Sequence, residues 1–402
     1  MQGFDFPTLG ALLFVAALVA MACRRFDLPY SVGLVAAGIA LAVLAPGVSP
    51  PLTSNLIYFV FLPPLVFEAA IQIPWRPFRR ELPLLFALVT VGVVLAAAVV
   101  ATGMHWLVGW SWLGAALFGV LIAATDPVAV IATFKAIRVE PRLNLLVEAE
   151  SLLNDGVAAV GFAVLSAVAI EGGSMGAGAV AFDLARTVIG GIIAGAVVAV
   201  PLILIAGRAS DRLVEVTLTM LIAYGAFLLA EHFHASGVLA TLTAGLIVGN
   251  YGFLGAISDD GRSGILHHWE FVAFLVNSLI FILIGGREAQ MPFPLVIEAA
   301  AFATVLSLIG RAAAVYPVMA AFRKTALAVP WAYKHVLFWG GLRGALALAL
   351  ALAVPTVIPE RDTIIVVSFA VVAFSIFVQG LTMPWLAKSL KLRQDDAAPS
   401  GH

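Results

Sequence analysis

Residues 144–170 read NLLVEAESLLNDGVAAVGFAVLSAVAI. The run is apolar and long enough to cross a bilayer as a helix, which takes about 20 residues. It nevertheless carries Glu150, Ser151, Asn154 and Asp155. Glu150 and Asn154 are four residues apart, as are Ser151 and Asp155, so helical geometry stacks these pairs on adjoining strips of one face. Carboxylate, hydroxyl and carboxamide oxygens are hard donors, suited to a hard cation rather than to zinc or copper. Ionisable groups at bilayer depth face the bundle interior, pair with one another or line an ion path.

The rest of the chain is of the same kind. Of its 402 residues 62% are hydrophobic and 11% charged, with a mean hydropathy of +1.07. A soluble domain carries about 25% charged residues, so this chain lacks the polar surface to dissolve its own bulk. The 20-residue ruler predicts thirteen spans, at 7–22, 28–45, 52–72, 82–103, 111–134, 144–170, 178–207, 213–231, 237–250, 265–285, 294–322, 331–356 and 363–387. No stretch alternates like a strand, and no long polar segment offers a soluble domain, so the expected class is an all-α integral membrane protein. Leu9–Ala22 has no Lys or Arg before it and a second span directly after it, and is expected to be a retained helix rather than a cleaved signal. The single cysteine, Cys23, excludes an internal disulfide or a thiolate metal cluster and reads as a small buried hydrophobe. A net charge of -1 argues against a nucleic-acid partner.

The basic residues test the span count. Arg24, Arg25, Arg76, Arg79, Arg80, Lys135, Arg138, Arg142, Arg208, Arg212, Arg262, Arg323, Lys324, Lys334, Lys388, Lys391 and Arg393 all fall on one side. The other side receives only Arg186, Arg287 and Arg361. The positive-inside rule makes the crowded side cytoplasmic, with the N-terminus outside and the C-terminus inside. Arg311 and Arg343 fit neither side. They lie too deep in spans eleven and twelve to snorkel, and need buried acidic partners.

Candidate partners are Glu68 in span three, Asp126 in span five, and Glu150 and Asp155 in span six. Span five is interrupted: Asp126 before Pro127 reads as an N-cap followed by proline at the first helical position, and Thr125 beside it offers a hydroxyl and a free carbonyl. Span twelve holds Gly340-Gly341-Leu342-Arg343-Gly344, where glycines permit a break and an arginine can balance exposed carbonyl ends. Broken backbone at membrane depth is tolerated only where protein or a wet cavity satisfies it. Spans five and twelve are seven apart, an odd offset, so repeat one (7–170) and repeat two (213–387) can be inverted copies joined by a connector span at 178–207. Paired interruptions of this kind point to the binding site of a secondary transporter. His232, His234, His267 and His268 fall in loops or span ends and read as interfacial.

These motifs resemble the monovalent cation:proton antiporter family, which contains the NhaP-type antiporters and the animal Na⁺/H⁺ exchangers. The resemblance covers nearly the whole chain and rests on FLPPLVFEAA (61–70), ATDPVAV (124–130), EAESLLNDG (148–156), LIGRAAAV (308–315) and GLRGALALAL (341–350). It implies a 13-span inverted-repeat fold with two crossed discontinuous helices, a homodimer in the cell membrane, and separate dimer and ion-carrying regions within 1–387, followed by a short cytoplasmic tail (388–402). It also implies that Asp155 is the main carrier of Na⁺ and H⁺, with Asn154 beside it, and that Glu68, Ser151 and the Thr125 backbone help ligate the ion. By the same resemblance Asp126 and Arg343 stabilise the crossed helices and Glu150 pairs with Arg311. The Asn-Asp pair resembles the electroneutral branch.

The expected activity is therefore exchange of Na⁺ or Li⁺ for H⁺, with K⁺/H⁺ exchange the alternative, and with no cofactor. No GxxxxGK[ST] phosphate loop occurs in the sequence, in keeping with transport that does not use ATP. An intramembrane protease is disfavoured, because Asp126 sits in TDP, Asp155 in NDG, and Glu231-His232-Phe233-His234 lacks HExxH spacing. A channel would show conductance without counter-transport.

Overall fold

The computed structural model describes residues 6–26, 28–45, 50–137, 139–172, 176–208, 211–252 and 257–392. Among them every regular element is helical. Thirteen apolar segments follow in order, and each overlaps one predicted span. They are α1 (Phe6–Phe26), α2 (Tyr30–Leu44), α3 (Leu56–Gln72), α4 (Trp75–Val108), α5a (Trp112–Ala123) with α5b (Val128–Ile137), α6 (Pro141–Ile170), α7 (Ala177–Ala206) and α8 (Arg212–His232). Then come α9 (Gly237–Asn250), α10 (Asp259–Glu288), α11 (Ile297–Ala321), α12a (Trp331–Trp339) with α12b (Ala345–Leu352), and α13 (Arg361–Ser389). Among the described residues nine of these are long and apolar enough to span a membrane; α2, α3 and α9 are shorter, and the twelfth segment is split in two.

Two helices begin earlier than their apolar runs. α4 starts at Trp75 rather than near 82, and α10 at Asp259 rather than near 265. Both added turns are polar, and Asp259 and Asp260 suit the positive end of α10. His267 and His268 consequently lie inside a helix. Arg138 and residues 393–402, Arg393 included, lie outside the described residues.

The chain forms two compact units. The first comprises Met1–Ser54, Glu81–Asn154 and Ser278–His402. In it α4 packs on α5a and α11, and α12b packs on α5a and α13. Backbones approach closely here: a Cβ on Gly119 of α5a would stand 2.5 Å from the Ala97 carbonyl oxygen, and one on Gly310 of α11 2.9 Å from that of Ala96. Helices α2 and α10 cross in the same way, Gly38 against the Ile282 carbonyl and Gly285 against that of Val35. Small residues at such crossings are the usual device of helices packing within lipid.

The second unit comprises Asn55–Arg80 and Asp155–Asn277. Its centre is α9, packed against α3, α7 and α8 and buried on nearly all sides; a helix apolar all round belongs in such a position. Phe67, Ile71, Ala226, Ala240, Ala244, Val248 and Trp269 form its core. Helix α3 carries Pro63 and Pro64, and Pro64 has no N–H for the carbonyl of Val60, four residues earlier. The Tyr224 hydroxyl donates to that carbonyl instead, at 2.9 Å. Asn250 ties the α3–α4 turn to α9, donating to Ile73 O and accepting from the Trp75 N–H.

Candidate functional site

Helix five stops at Ala123 and restarts at Val128; helix twelve stops at Trp339 and restarts at Ala345. Each break leaves carbonyls at one helix end and N–H groups at the next start, none of which can go unpaired at membrane depth. The two breaks meet. The Asp126 N–H donates to the Leu342 carbonyl at 2.7 Å, joining the interruptions main chain to main chain.

Charged side chains close the four ends. The carbonyls of Ala123 and Ala124, at the end of α5a, accept from Arg343 Nη1 at 2.8 and 3.2 Å. The Leu337 carbonyl, in the last turn of α12a, accepts from Arg311 Nε at 3.0 Å and Nη2 at 2.8 Å. At the start of α5b the Val128 N–H donates to Asp126 Oδ1 at 2.9 Å. The Asp126 carboxylate also lies against Gly344, directly before α12b, where any Cβ would collide with it. Cations thus sit at the two negative helix ends and a carboxylate beside the two positive ones, the arrangement that helix dipoles favour. Gly341 plays the same part for Arg311, since a Cβ there would stand 2.5 Å from Nε.

Arg311 also forms a two-pronged ion pair with Glu150 of α6, Nη1 to Oε1 at 2.6 Å and Nη2 to Oε2 at 3.0 Å. Both residues are buried, Glu150 at 3% and Arg311 at 6% exposure. Burial on this scale demands that donors and acceptors be matched, and the planar guanidinium matches a carboxylate in two bonds.

The oxygen donors foreseen on span six gather against the α5 break. Asn154, 1% exposed, donates through Nδ2 to the Ala123 carbonyl at 3.0 Å and to Thr125 Oγ1 at 3.1 Å. Thr125 Oγ1 donates to Ser151 Oγ at 3.3 Å, and Ser151 Oγ donates in turn to the Thr125 carbonyl. That carbonyl is therefore not free, as the break alone had suggested; one of its two lone pairs is taken by Ser151. These two donations by Nδ2 set the orientation of the Asn154 amide, and its Oδ1 is buried without a donor. A buried oxygen without a donor is what a cation or a water molecule fills. Among the described residues no His, Cys, Asp or Glu group is arranged to hold a metal ion.

Asp155 and Glu68 belong to the second unit. Asp155 is half-buried and follows Asn154 directly on α6. Glu68 is half-buried on α3 and accepts from Gln72 Nε2 one turn later.

Three groups escaped the sequence reading. Ser375 of α13, 1% exposed, accepts from the Arg343 N–H at 2.7 Å and donates to the Arg343 carbonyl at 3.2 Å. Gln379 donates to the Trp339 carbonyl at 3.0 Å, and the Leu337 carbonyl adds a second task to Arg311. A single serine in an apolar run signals little. The one clue was that a break in span twelve must find donors and acceptors on a neighbouring helix.

Comparison with known proteins adds a family and a fold. Residues 10–389 match the family model described as "Sodium/hydrogen exchanger, transmembrane". The chain is 36% identical over 400 residues to a Na⁺/H⁺ antiporter of Aphanothece halophytica, covering 97% of this chain and 75% of that one. It is likewise 36% identical over 381 residues to a Na⁺/H⁺ antiporter of Synechocystis, covering 95% and 70%. In fold it is similar to the sodium proton antiporter of Methanocaldococcus jannaschii, with a TM-score of 0.77 at 19% identity over 96% of this chain and 98% of that one.

Proposed function

Because the chain belongs to the sodium/hydrogen exchanger family, a family of multi-pass membrane transporters, we propose that it is a secondary antiporter that moves Na⁺ or Li⁺ one way and H⁺ the other. The observation that carries this reading is the oxygen set at the break of helix five. Thr125, Ser151 and Asn154 present hard oxygens there, one of them lacking a donor, and the next residue of α6 is the carboxylate of Asp155. The names of the relatives favour Na⁺ over K⁺ as the cation.

In this reading Asp155 is the carrier. Ionised, it holds Na⁺ or Li⁺ together with Ser151, the Thr125 backbone and Glu68, with Asn154 alongside; protonated, it carries H⁺ instead. Either load neutralises the carboxylate, whereas the empty anion is expensive to move through a low-dielectric barrier. Obligatory exchange then follows from electrostatics. Swapping one cation for one proton moves no net charge, so a term of about 2.3 kcal/mol per charge per 100 mV drops out. Asp126, Arg343 and the Glu150–Arg311 pair hold the scaffold and carry no ion. No cofactor is needed.

The same reading makes repeat one (7–170) and repeat two (213–387) inverted copies around a connector at 178–207. It makes the protein a homodimer in the cell membrane, with the N-terminus outside and the C-terminus cytoplasmic, in keeping with the distribution of basic residues.

The test is a pH-quench assay in proteoliposomes comparing Na⁺, Li⁺ and K⁺, with and without an imposed potential. Exchange is expected with Na⁺ and Li⁺ at a rate indifferent to the potential. Equal or faster exchange with K⁺ would overturn the cation assignment, and current without proton counter-flux would make the protein a channel.

A further inference from the structure

Helix α13 opens on two residues of opposite charge, Glu360 and Arg361, that the site described above leaves unused. Glu360 accepts from the Ser111 N–H at 2.8 Å through Oε1 and from the Ser111 hydroxyl at 3.0 Å through Oε2. Ser111 is the N-cap of α5a and accepts in turn from the Gly114 N–H at 3.1 Å. A Cβ on Gly114 would stand 2.7 Å from Glu360 Oε2, so the carboxylate lies directly on the first turn of α5a. Arg361 reaches the other half-helix. Its Nε donates to the Val354 carbonyl at 2.9 Å and its Nη2 to the Leu352 carbonyl at 3.4 Å, and Leu352 is the last residue of α12b.

One turn of chain therefore holds an anion at the positive end of α5a and a cation at the negative end of α12b, each the sign that the helix dipole favours. The far ends of these same half-helices are the ones gripped by Arg343 and faced by Asp126. Helix α5a is 12 residues long, about 18 Å at the α-helical rise, and too short to bend appreciably between its two fastened ends. Any axial slip at Ser111 therefore displaces the Ala123 and Thr125 oxygens that Asn154 and Ser151 engage.

We infer that Glu360 and Arg361 are positioning residues for cation exchange: a strap across the far ends of α5a and α12b that sets the height of the Ala123 and Thr125 oxygens. This rests on the reading of those oxygens as part of the cation site. The adjacency of the two residues makes the strap a single part. Because Glu360 and Arg361 are neighbours on one turn, α5a and α12b are fixed relative to each other as well as to α13.

The experiment measures the Na⁺ concentration for half-maximal exchange in proteoliposomes, on fractions matched for folded protein by gel filtration and melting temperature. The variants are Glu360→Ala, Arg361→Ala, and the conservative Glu360→Gln and Arg361→Lys. Each alanine variant is expected to raise the half-maximal Na⁺ concentration about tenfold or more, the size of a lost charge-assisted hydrogen bond, with a smaller change in maximal rate. The conservative variants, which keep one hydrogen bond, are expected to fall between these and the parent, and they carry the test where an alanine variant does not fold. A lower melting temperature with unchanged Na⁺ dependence in every folded variant would reduce the pair to ordinary caps and overturn the proposal. Asp155→Asn in the same preparation separates this from a failure of the site: transport surviving there would remove the site, whereas transport lost there with Na⁺ dependence unmoved at 360 and 361 removes only the strap.

Discussion

The backbone N–H of Asp126 donates to the backbone carbonyl of Leu342 at 2.7 Å, so two helix breaks more than 200 residues apart in sequence are closed by each other. That bond involves no side chain. Its geometry survives most substitutions and depends on the groups that bring the two interruptions into register.

Asp155→Asn keeps the size and polarity of the side chain and removes its charge and proton. Na⁺-driven proton flux in liposomes is expected to fall to background, with the melting temperature close to that of the parent. Flux at the parental rate would refute the carrier assignment.

If Na⁺ and H⁺ share one carboxylate, they compete. The Na⁺ concentration for half-maximal exchange should then climb as pH falls, approaching about tenfold per pH unit in the acid range. A half-maximal concentration that stays flat between pH 6 and 9 would show separate sites.

Glu150→Gln leaves the Arg311 charge buried and half-paired. Removing one partner of a buried pair costs about 3–5 kcal/mol, so the melting temperature should drop sharply. The double variant Glu150→Gln/Arg311→Met should recover part of this loss. Full recovery is not expected, because Arg311 also closes the end of α12a at Leu337. Thermal unfolding in detergent measures both.

Gly344→Ala places a methyl group against the Asp126 carboxylate. Overpacking of this kind costs about 1–3 kcal/mol, and here it acts on the contact that faces α12b. Transport should fall by more than stability does, whereas Gly178→Ala, where a Cβ meets nothing within 4 Å, should leave both unchanged.

Ser375→Ala removes the hydroxyl that accepts from the Arg343 N–H and donates to its carbonyl. A loss of about 1–3 kcal/mol is expected for the stranded backbone groups, with Ser375→Thr retaining most of the stability. Equal melting temperatures for the alanine variant and the parent would mean that other groups satisfy the Arg343 backbone.

Much of this architecture is legible in the chain itself because lipid imposes a length on every span. The apolar run at 294–322 and the interruptions at Asp126-Pro127 and Gly340–Gly344 announce their elements without reference to any partner. Boundaries blur where a helix continues into polar sequence: Trp75 and Asp259 open helices that an apolar ruler starts some six or seven residues late. The depth of Arg311 told that it needs an acid, but not that it also serves the Leu337 carbonyl. Likewise the spacing of Ser151 and Asn154 placed their oxygens on one helix face, and only the fold shows them turned to the Thr125 hydroxyl and the Ala123 carbonyl. Side chains that answer to a distant backbone group, as Ser375, Gln379 and Glu360 do, leave no local pattern to read.

The four ionic side chains around the crossing, Asp126, Glu150, Arg311 and Arg343, sum formally to zero; Glu150, Arg311 and Arg343 are buried and Asp126 is half-buried. The frame is therefore an internal zwitterion, and it presents no monopole of its own to the membrane voltage. A rigid shift of that frame across the membrane voltage therefore carries no net charge, and the charge that such a shift does carry belongs to the cargo and the carboxylates that load it.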